Sequence, residues 1–165
     1  MLDEVTLSTQ RHRRRISMTA EEIDSFLGAE RTCRVASLTR SGAPHVSALW
    51  FAWDGASMWF YSIVNSERWA DIARDPRAAV IVDGGHDFGE LVGVELRGSL
   101  VQVGEVPRLG ETPVAELEVP ERMFPAKYFG SPDGGMFHDK RHAWLRLTPE
   151  KIASWDHRKI GAASA

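Results

Sequence analysis

Arg68 stands in the stretch "YSIVNSERWADIARDPRAAVIVD" (Tyr61–Asp83), which reads as strand, short helix, strand. It falls at the amino end of that helix, where the macrodipole is already positive and N–H groups lack partners. A cation there is unfavourable unless something compensates it. Two readings stand open from the residues alone. Either Arg68 pairs with Glu67 or Asp71, or has no partner, or it joins Ser66 and the free helix N–H groups in a cradle for a phosphate.

The aromatic residues supply a second chemical signal. The chain has six tryptophans, three of them (Trp50, Trp53 and Trp59) in "HVSALWFAWDGASMWFYS". Strand alternation sets Trp50 on the face of Val46 and Ala48, and Trp53 on the face of Ser47, Leu49 and Phe51. One face packs a core; the other offers a flat apolar wall suited to a planar aromatic cofactor. Plain core packing accounts for the same tryptophans. Other sites are excluded by spacing. The chain has no Walker loop, no G-x-G-x-x-G and no G-x-S-x-G elbow. His138 and His142 in "HDKRH" are four apart, but the glutamate of a metalloprotease helix is missing and "DKR" reads as loop, so no metal site is expected. His45 opens a strand and reads as a rim histidine, while His86 and His157 carry no signal.

The elements that position these residues follow from pattern. "MTAEEIDSFLGAE" reads as a helix with Thr19 as N-cap, Glu22 closing a capping box and Gly28 ending it. "TCRVASLT", "HVSALWFAW" and "SMWFYSIV" are strands, the last two joined by an Asp54-Gly55 hairpin turn. The helix bearing Arg68, Trp69 and Ile72 should stop by Asp75, because Pro76 disfavours a helical residue before it. "AAVIVD" and "LVGVELRGSLVQV" are strands, with a bulge or bend expected at Gly98. A later helix interrupted by Pro120 and Pro125 precedes two short strands, "HAWLRLT" and "KIASWD". About six hairpin-linked strands favour a closed or partly closed antiparallel barrel, which removes exposed sheet edges.

At 165 residues the chain suits one domain, 18–165, behind a flexible basic arm, 1–17, that carries "RHRRR" (Arg11–Arg15). A net charge of −3 argues against a nucleic-acid binder. Cys33 is the single cysteine, so neither an intramolecular disulfide nor a thiolate cluster forms. No apolar run spans a bilayer and no secretory signal is evident, so a cytoplasmic protein is expected.

"GAPHVSALWFAWDGASMWFYS", "ERWADIARDPRAAVIVD", "GVELRGSLVQVGE" and "WLRLTPEKIASWDHRK" together resemble the pyridoxamine 5'-phosphate oxidase-like split-barrel flavoproteins. More narrowly they are similar to the flavin/deazaflavin oxidoreductases of group B, over about Met18 to Lys159. The resemblance implies a mainly β, FMN-binding-protein-like split barrel of six antiparallel strands. It also implies a homodimer with FMN or the deazaflavin F-420 in grooves between subunits. A lysine seven positions before the Asp of "DPR" grips the cofactor phosphate in relatives; here that position is Arg68, with Trp69 and Ser66 beside it. The resemblance further places the tricyclic ring along His45, Val46, Ser47, Ala48, Leu49 and Trp50, and the phosphate or ribityl chain near Ser62. Lys140 and Arg141 fall where relatives offer basic residues to the groove. The polyglutamate tail of F-420 calls for extra cations, which "RHRRR", Arg68 and "DKR" supply, so F-420 is favoured over FMN. The implied activity is hydride transfer to a planar or conjugated acceptor. The alternatives are an FMN-dependent oxidase-like enzyme, or a non-catalytic cofactor or haem carrier using His45, His86 or His138 as axial ligand.

Overall fold

The computed structural model describes residues 6–7, 16–131 and 135–162. Its centre is an eight-stranded sheet: β1 (Thr6–Leu7), β2 (Thr32–Leu38), β3 (Pro44–Trp50), β4 (Ala52–Trp53), β5 (Met58–Ile63), β6 (Arg77–Gly84), β7 (Val92–Val103) and β8 (His142–Asp156). Four helices accompany it: α1 (Ala20–Ala29), α2 (Glu67–Arg74), α3 (Glu118–Phe129) and α4 (Arg158–Ala162). The strands lie in the order β3-β2-β6-β7-β8-β5-β4, all antiparallel, and β1 adds to β8 in parallel. The two ends of that order, β3 and β4, are linked by the single residue Phe51, so the sheet curls round on itself. β3 and β5 then lie side by side with no ladder between them. This is a split barrel, as expected.

Local signals in the sequence account for most boundaries. The Thr19 hydroxyl accepts from the Glu22 N–H and Glu22 returns the bond to the Thr19 N–H, completing the capping box of α1. The Asp54 carboxylate accepts from the N–H groups of Ala56 and Ser57 in the β4–β5 turn, where Gly55 takes a φ of 91°. α2 is capped by Ser66 and ends before Asp75.

Five expectations need correction. Gly28 does not end α1; the helix runs one residue further, and Glu30 closes it with its N–H on the Phe26 carbonyl. "HVSALWFAW" is not one strand. Tyr128 of α3 meets the backbone at Phe51, where its hydroxyl accepts from the Phe51 N–H at 2.9 Å, and the strand breaks there. "HAWLRLT" and "KIASWD" are one 15-residue strand, because the bulge between Arg97 and Gly98 absorbs the irregularity opposite Pro149. With β1 and the break at Phe51, the count is therefore eight strands, not six. α3 also runs unbroken through both prolines. Pro120 sits in its first turn, where the missing N–H has no intrahelical acceptor, and Pro125 is internal but buried.

The barrel interior is filled by Val35, Phe60, Val80, Val94, Leu96 and Leu147, each at most 1% exposed. A second cluster under α3 joins Trp59, Leu117, Phe124 and Trp144. Trp53 and Trp59 are core residues that anchor their indole N–H groups on Asp24 and Asp54. Thr6–Leu7 belongs to the stretch read as a flexible arm, and it pairs with Lys151 and Ile152. Arg11, Arg13, Arg14 and Arg15 lie outside the described residues. No described helix is long and apolar enough to cross a membrane.

Candidate functional site

Arg68 does not face solvent at the end of α2. It is 9% exposed and reaches the seam between β3 and β5 from inside the barrel. Nη1 donates to Ser47 Oγ on β3 at 2.9 Å, and Nη2 donates to Ser62 Oγ on β5 at 3.0 Å. Nε is buried with no partner. Among the described residues no carboxylate pairs with it. The pairing with Glu67 or Asp71 does not form. Asp71 instead receives His45 Nδ1 at 3.0 Å and Arg74 Nη2 at 3.1 Å. The His45 hydrogen bond, against the opposing effect of burial, holds the Asp71 carboxyl below its ordinary range. Burial likewise lowers the Arg68 pKa from its ordinary value, yet a guanidinium keeps its proton.

A buried cation on neutral hydroxyls, with three of its five N–H donors uncommitted, is an incomplete site. A phosphate supplies what is missing: negative charge and several acceptor oxygens. The residues present therefore fit the phosphate of a flavin or deazaflavin nucleotide.

The other candidates divide by strand alternation. Ser47 of β3 and Ser62 of β5 point to Arg68, while Ala48 and Trp50 of β3 and Tyr61 of β5 line a cavity of about 530 Å³ on the other side. Leu49 also borders that cavity, and Val46 is 61% exposed on the same outer face. Trp50 stacks on Tyr128 at 4.4 Å between centroids and 8° between planes, so one of its faces is already covered. His45 is engaged by Asp71, and the Ser66 hydroxyl is spent on capping, accepting from Trp69 N–H and donating to the Ile63 carbonyl. Trp69 packs against the main core and, with Ile72, Pro76 and Leu100, lines a separate pocket. Lys140 and Arg141 are exposed, and the Arg141 carbonyl accepts from the Val64 N–H. That bond brings their loop beside the turn that leads into α2. His45, Glu67 and Asp71 offer three ligand-type atoms within 4.8 Å of one another, but Asp71 is already committed to His45 and Arg74.

The cavity has aromatic walls from Trp50, Tyr61, Phe124, Phe129 and Phe137, and one polar corner formed by Asp139 and His142. That corner was missed in the sequence. The signal was the D-x-x-H spacing within "HDKRH", hidden by the question of whether its two histidines bind a metal. In the fold "HDKRH" is a loop entering β8, and its two histidines take separate partners: His138 meets the Tyr61 hydroxyl, and His142 meets Asp139.

The sequence profile of pyridoxamine 5'-phosphate oxidase matches residues 19–156. The chain belongs to that family. No curated protein matches it at a significant level. Among solved structures it is similar to a conserved hypothetical protein of Mycobacterium tuberculosis, at 25% identity and a TM-score of 0.71, covering 93% of each chain. It is also similar in fold to a protein named F-420 reductase, at 22% identity and a TM-score of 0.56, covering 78% of this chain and 94% of that one. A third is a FAD-binding protein of Mesorhizobium loti, at 18% identity and a TM-score of 0.62, covering 84% and 92%. Membership explains the curled antiparallel sheet.

Proposed function

We propose that this family member is an F-420-dependent oxidoreductase that reduces a planar, conjugated organic acceptor. The observation that carries the reading is Arg68, a buried guanidinium without a carboxylate and with an orphaned Nε at a gap in the barrel wall. Arg68 would hold the cofactor phosphate there, with the hydroxyls of Ser47 and Ser62 steering its guanidinium. When bound, the reduced deazaflavin supplies a hydride. The protein's own part is to bind, orient and desolvate. β3 forms one wall of the aromatic cavity, and covering the cavity's exposed rim with a second subunit would keep water from the reacting face. FMN would satisfy Arg68 equally well. Lys140 and Arg141, exposed and outside any ion pair among the described residues, favour the cofactor with the anionic tail. A homodimer belongs to the same proposal, because Val46, Trp50, Phe129 and Phe137 leave an apolar outer face uncovered.

The test is titration of purified protein with F-420, a tail-less deazaflavin, FMN and haem, followed by absorbance and fluorescence. F-420 should bind most tightly. Replacing Arg11, Arg13, Arg14 and Arg15 by alanine, which leaves β1 in place, should weaken F-420 at low salt and leave the tail-less deazaflavin almost unchanged, since salt screens charge–charge attraction. Tighter binding of FMN would move the assignment to a flavin enzyme, and a Soret band lost in one His→Ala variant would make it a haem carrier.

A further inference from the structure

The polar corner of the cavity has a definite internal geometry. Asp139 Oδ2 lies 2.7 Å from His142 Nδ1, and Asp139 Oδ1 accepts from the backbone N–H groups of Arg141 and His142 at 2.9 and 3.2 Å. The His142 ring is stacked on Tyr61, 4.9 Å between centroids and 18° between planes. Its tautomer and its plane are thus both fixed. Nδ1 carries the proton toward the carboxylate, and Nε2, which has no partner among the described residues, is left for the cavity.

We propose that His142, oriented by Asp139, is the proton donor of the reaction, holding a proton at Nε2 for the heteroatom of an acceptor bound between the aromatic walls. The proposal rests on the oxidoreductase reading and names its substrate class: a carbonyl, quinone or enone whose oxygen becomes an alkoxide, phenolate or enolate. A reduced deazaflavin would supply a hydride to the acceptor carbon, and the C=O π pair would then move to oxygen. Oxygen then takes the proton from Nε2, one O–H bond forming as the N–H bond breaks. Solvent at the cavity mouth restores the imidazolium, whose charge Asp139 balances.

The surrounding groups leave this task to His142. Tyr61 is pushed up to about 12, first by burial and then by Asp139 and Glu121, so it stays protonated at neutral pH. His138 is turned to the Tyr61 hydroxyl, 3.4 Å away, with Glu121 of α3 4.0 Å from its Nε2. Arg108 donates its backbone N–H to the His142 carbonyl, but its guanidinium is held by Glu105 and Glu121. Burial opposes ionisation of Asp139, but hydrogen bonds from the His142 ring and from the backbone of Arg141 and His142 outweigh it and keep the carboxylate charged.

The experiment uses the cofactor-free full chain and 4-nitrophenol, a planar probe whose absorbance reports its own ionisation. In the wild type the Nε2–H of the His142 imidazolium should donate to the bound phenolate, raising the bound phenolate-to-phenol ratio about tenfold above that of free probe at the same pH. His142→Phe keeps the stack on Tyr61 and should still bind the probe. Its ratio should fall below the free value, because an apolar cavity disfavours the anion. Asp139→Asn should lie between the two. Thermal melts of both variants confirm that they fold. A wild-type ratio equal to that of His142→Phe, or a probe that does not bind the wild type, overturns the proposal. Either result leaves the cofactor titrations untouched, since no cofactor is present, so the two readings fail separately.

Discussion

Replacing Arg68 by alanine separates its two roles, because the opposing terms act on different states. In the cofactor-free protein the substitution removes two charged hydrogen bonds, to Ser47 and Ser62, each worth about 1.5–3 kcal/mol. It also removes a buried cation that no carboxylate balances, which costs several kcal/mol to desolvate. These terms nearly cancel, so the apoprotein melting temperature should move by no more than about 3 °C, roughly 1 kcal/mol at this chain length. Arg68→Met, which keeps the apolar stem, should leave it unchanged or higher. In the loaded protein nothing cancels. Losing a desolvated charge from its anionic partner costs about 2–5 kcal/mol, and less at a wet rim. Cofactor affinity should therefore fall at least tenfold, about 1.4 kcal/mol. Arg68→Lys should recover most of it, although one ammonium cannot reach both hydroxyls and the phosphate as a fork does. The assay is a fluorescence titration with F-420 and with FMN, beside apoprotein melts for each variant. Unchanged affinity together with a much lower melting temperature would refute the reasoning. Arg68 would then be a staple across the β3–β5 seam, and the phosphate would bind elsewhere.

Three further outcomes are expected. Tyr128→Phe leaves the buried Phe51 N–H without its acceptor, which costs about 1–3 kcal/mol and shows as a lower denaturation midpoint. Lys127 is pushed down to about 8 by burial over the Phe51 ring. Between that value and the ordinary 10.5 the unfolded chain holds a proton that the folded chain has released, so stability should rise with pH across this window. Denaturant midpoints at about pH 7 and about pH 9, below the range where the raised Cys33, Tyr61 and Tyr128 groups dominate, should show that rise in the wild type and a smaller one, or none, in Lys127→Met. Val46→Asp, on the exposed outer face, should shift sedimentation from dimer to monomer without lowering far-ultraviolet dichroism; a wild type already monomeric at micromolar concentration would remove the dimer.

What could be read from the sequence was what is decided locally. The Thr19–Glu22 capping box, the Asp54-Gly55 turn, the end of α2 before Asp75 and the bulge at Gly98 each depend on residues a few positions apart. The break at Phe51 was not legible, because the hydroxyl that meets it comes from Tyr128, 77 residues away. Nor was the continuity of β8 past Pro149, which depends on the irregular stretch of β7 opposite it. The candidate site divides in the same way. Arg68 was singled out from its place on α2, but its partners Ser47 and Ser62 belong to two strands that meet only when the barrel curls. Their opposite facing to Ala48, Trp50 and Tyr61 follows from strand alternation, and the cavity itself exists only in three dimensions.

The place of β8 in the strand order bears on how this chain is made. β8 lies between β7 and β5, so the β4–β5 hairpin joins the rest of the sheet only through the last strand in sequence. On the ribosome, β2, β3, β6 and β7 can pair as soon as they emerge, while β4 and β5 wait as an isolated hairpin. Until Asp156 is translated, β7 presents one bare edge and β5 another, both carrying side chains destined for the interior. Synthesis of the stretch from Val103 to Asp156 takes roughly 3–11 seconds at about 5–20 residues per second. During that interval the nascent chain is a substrate for chaperones and a hazard for self-association, and β8 removes both edges in one step.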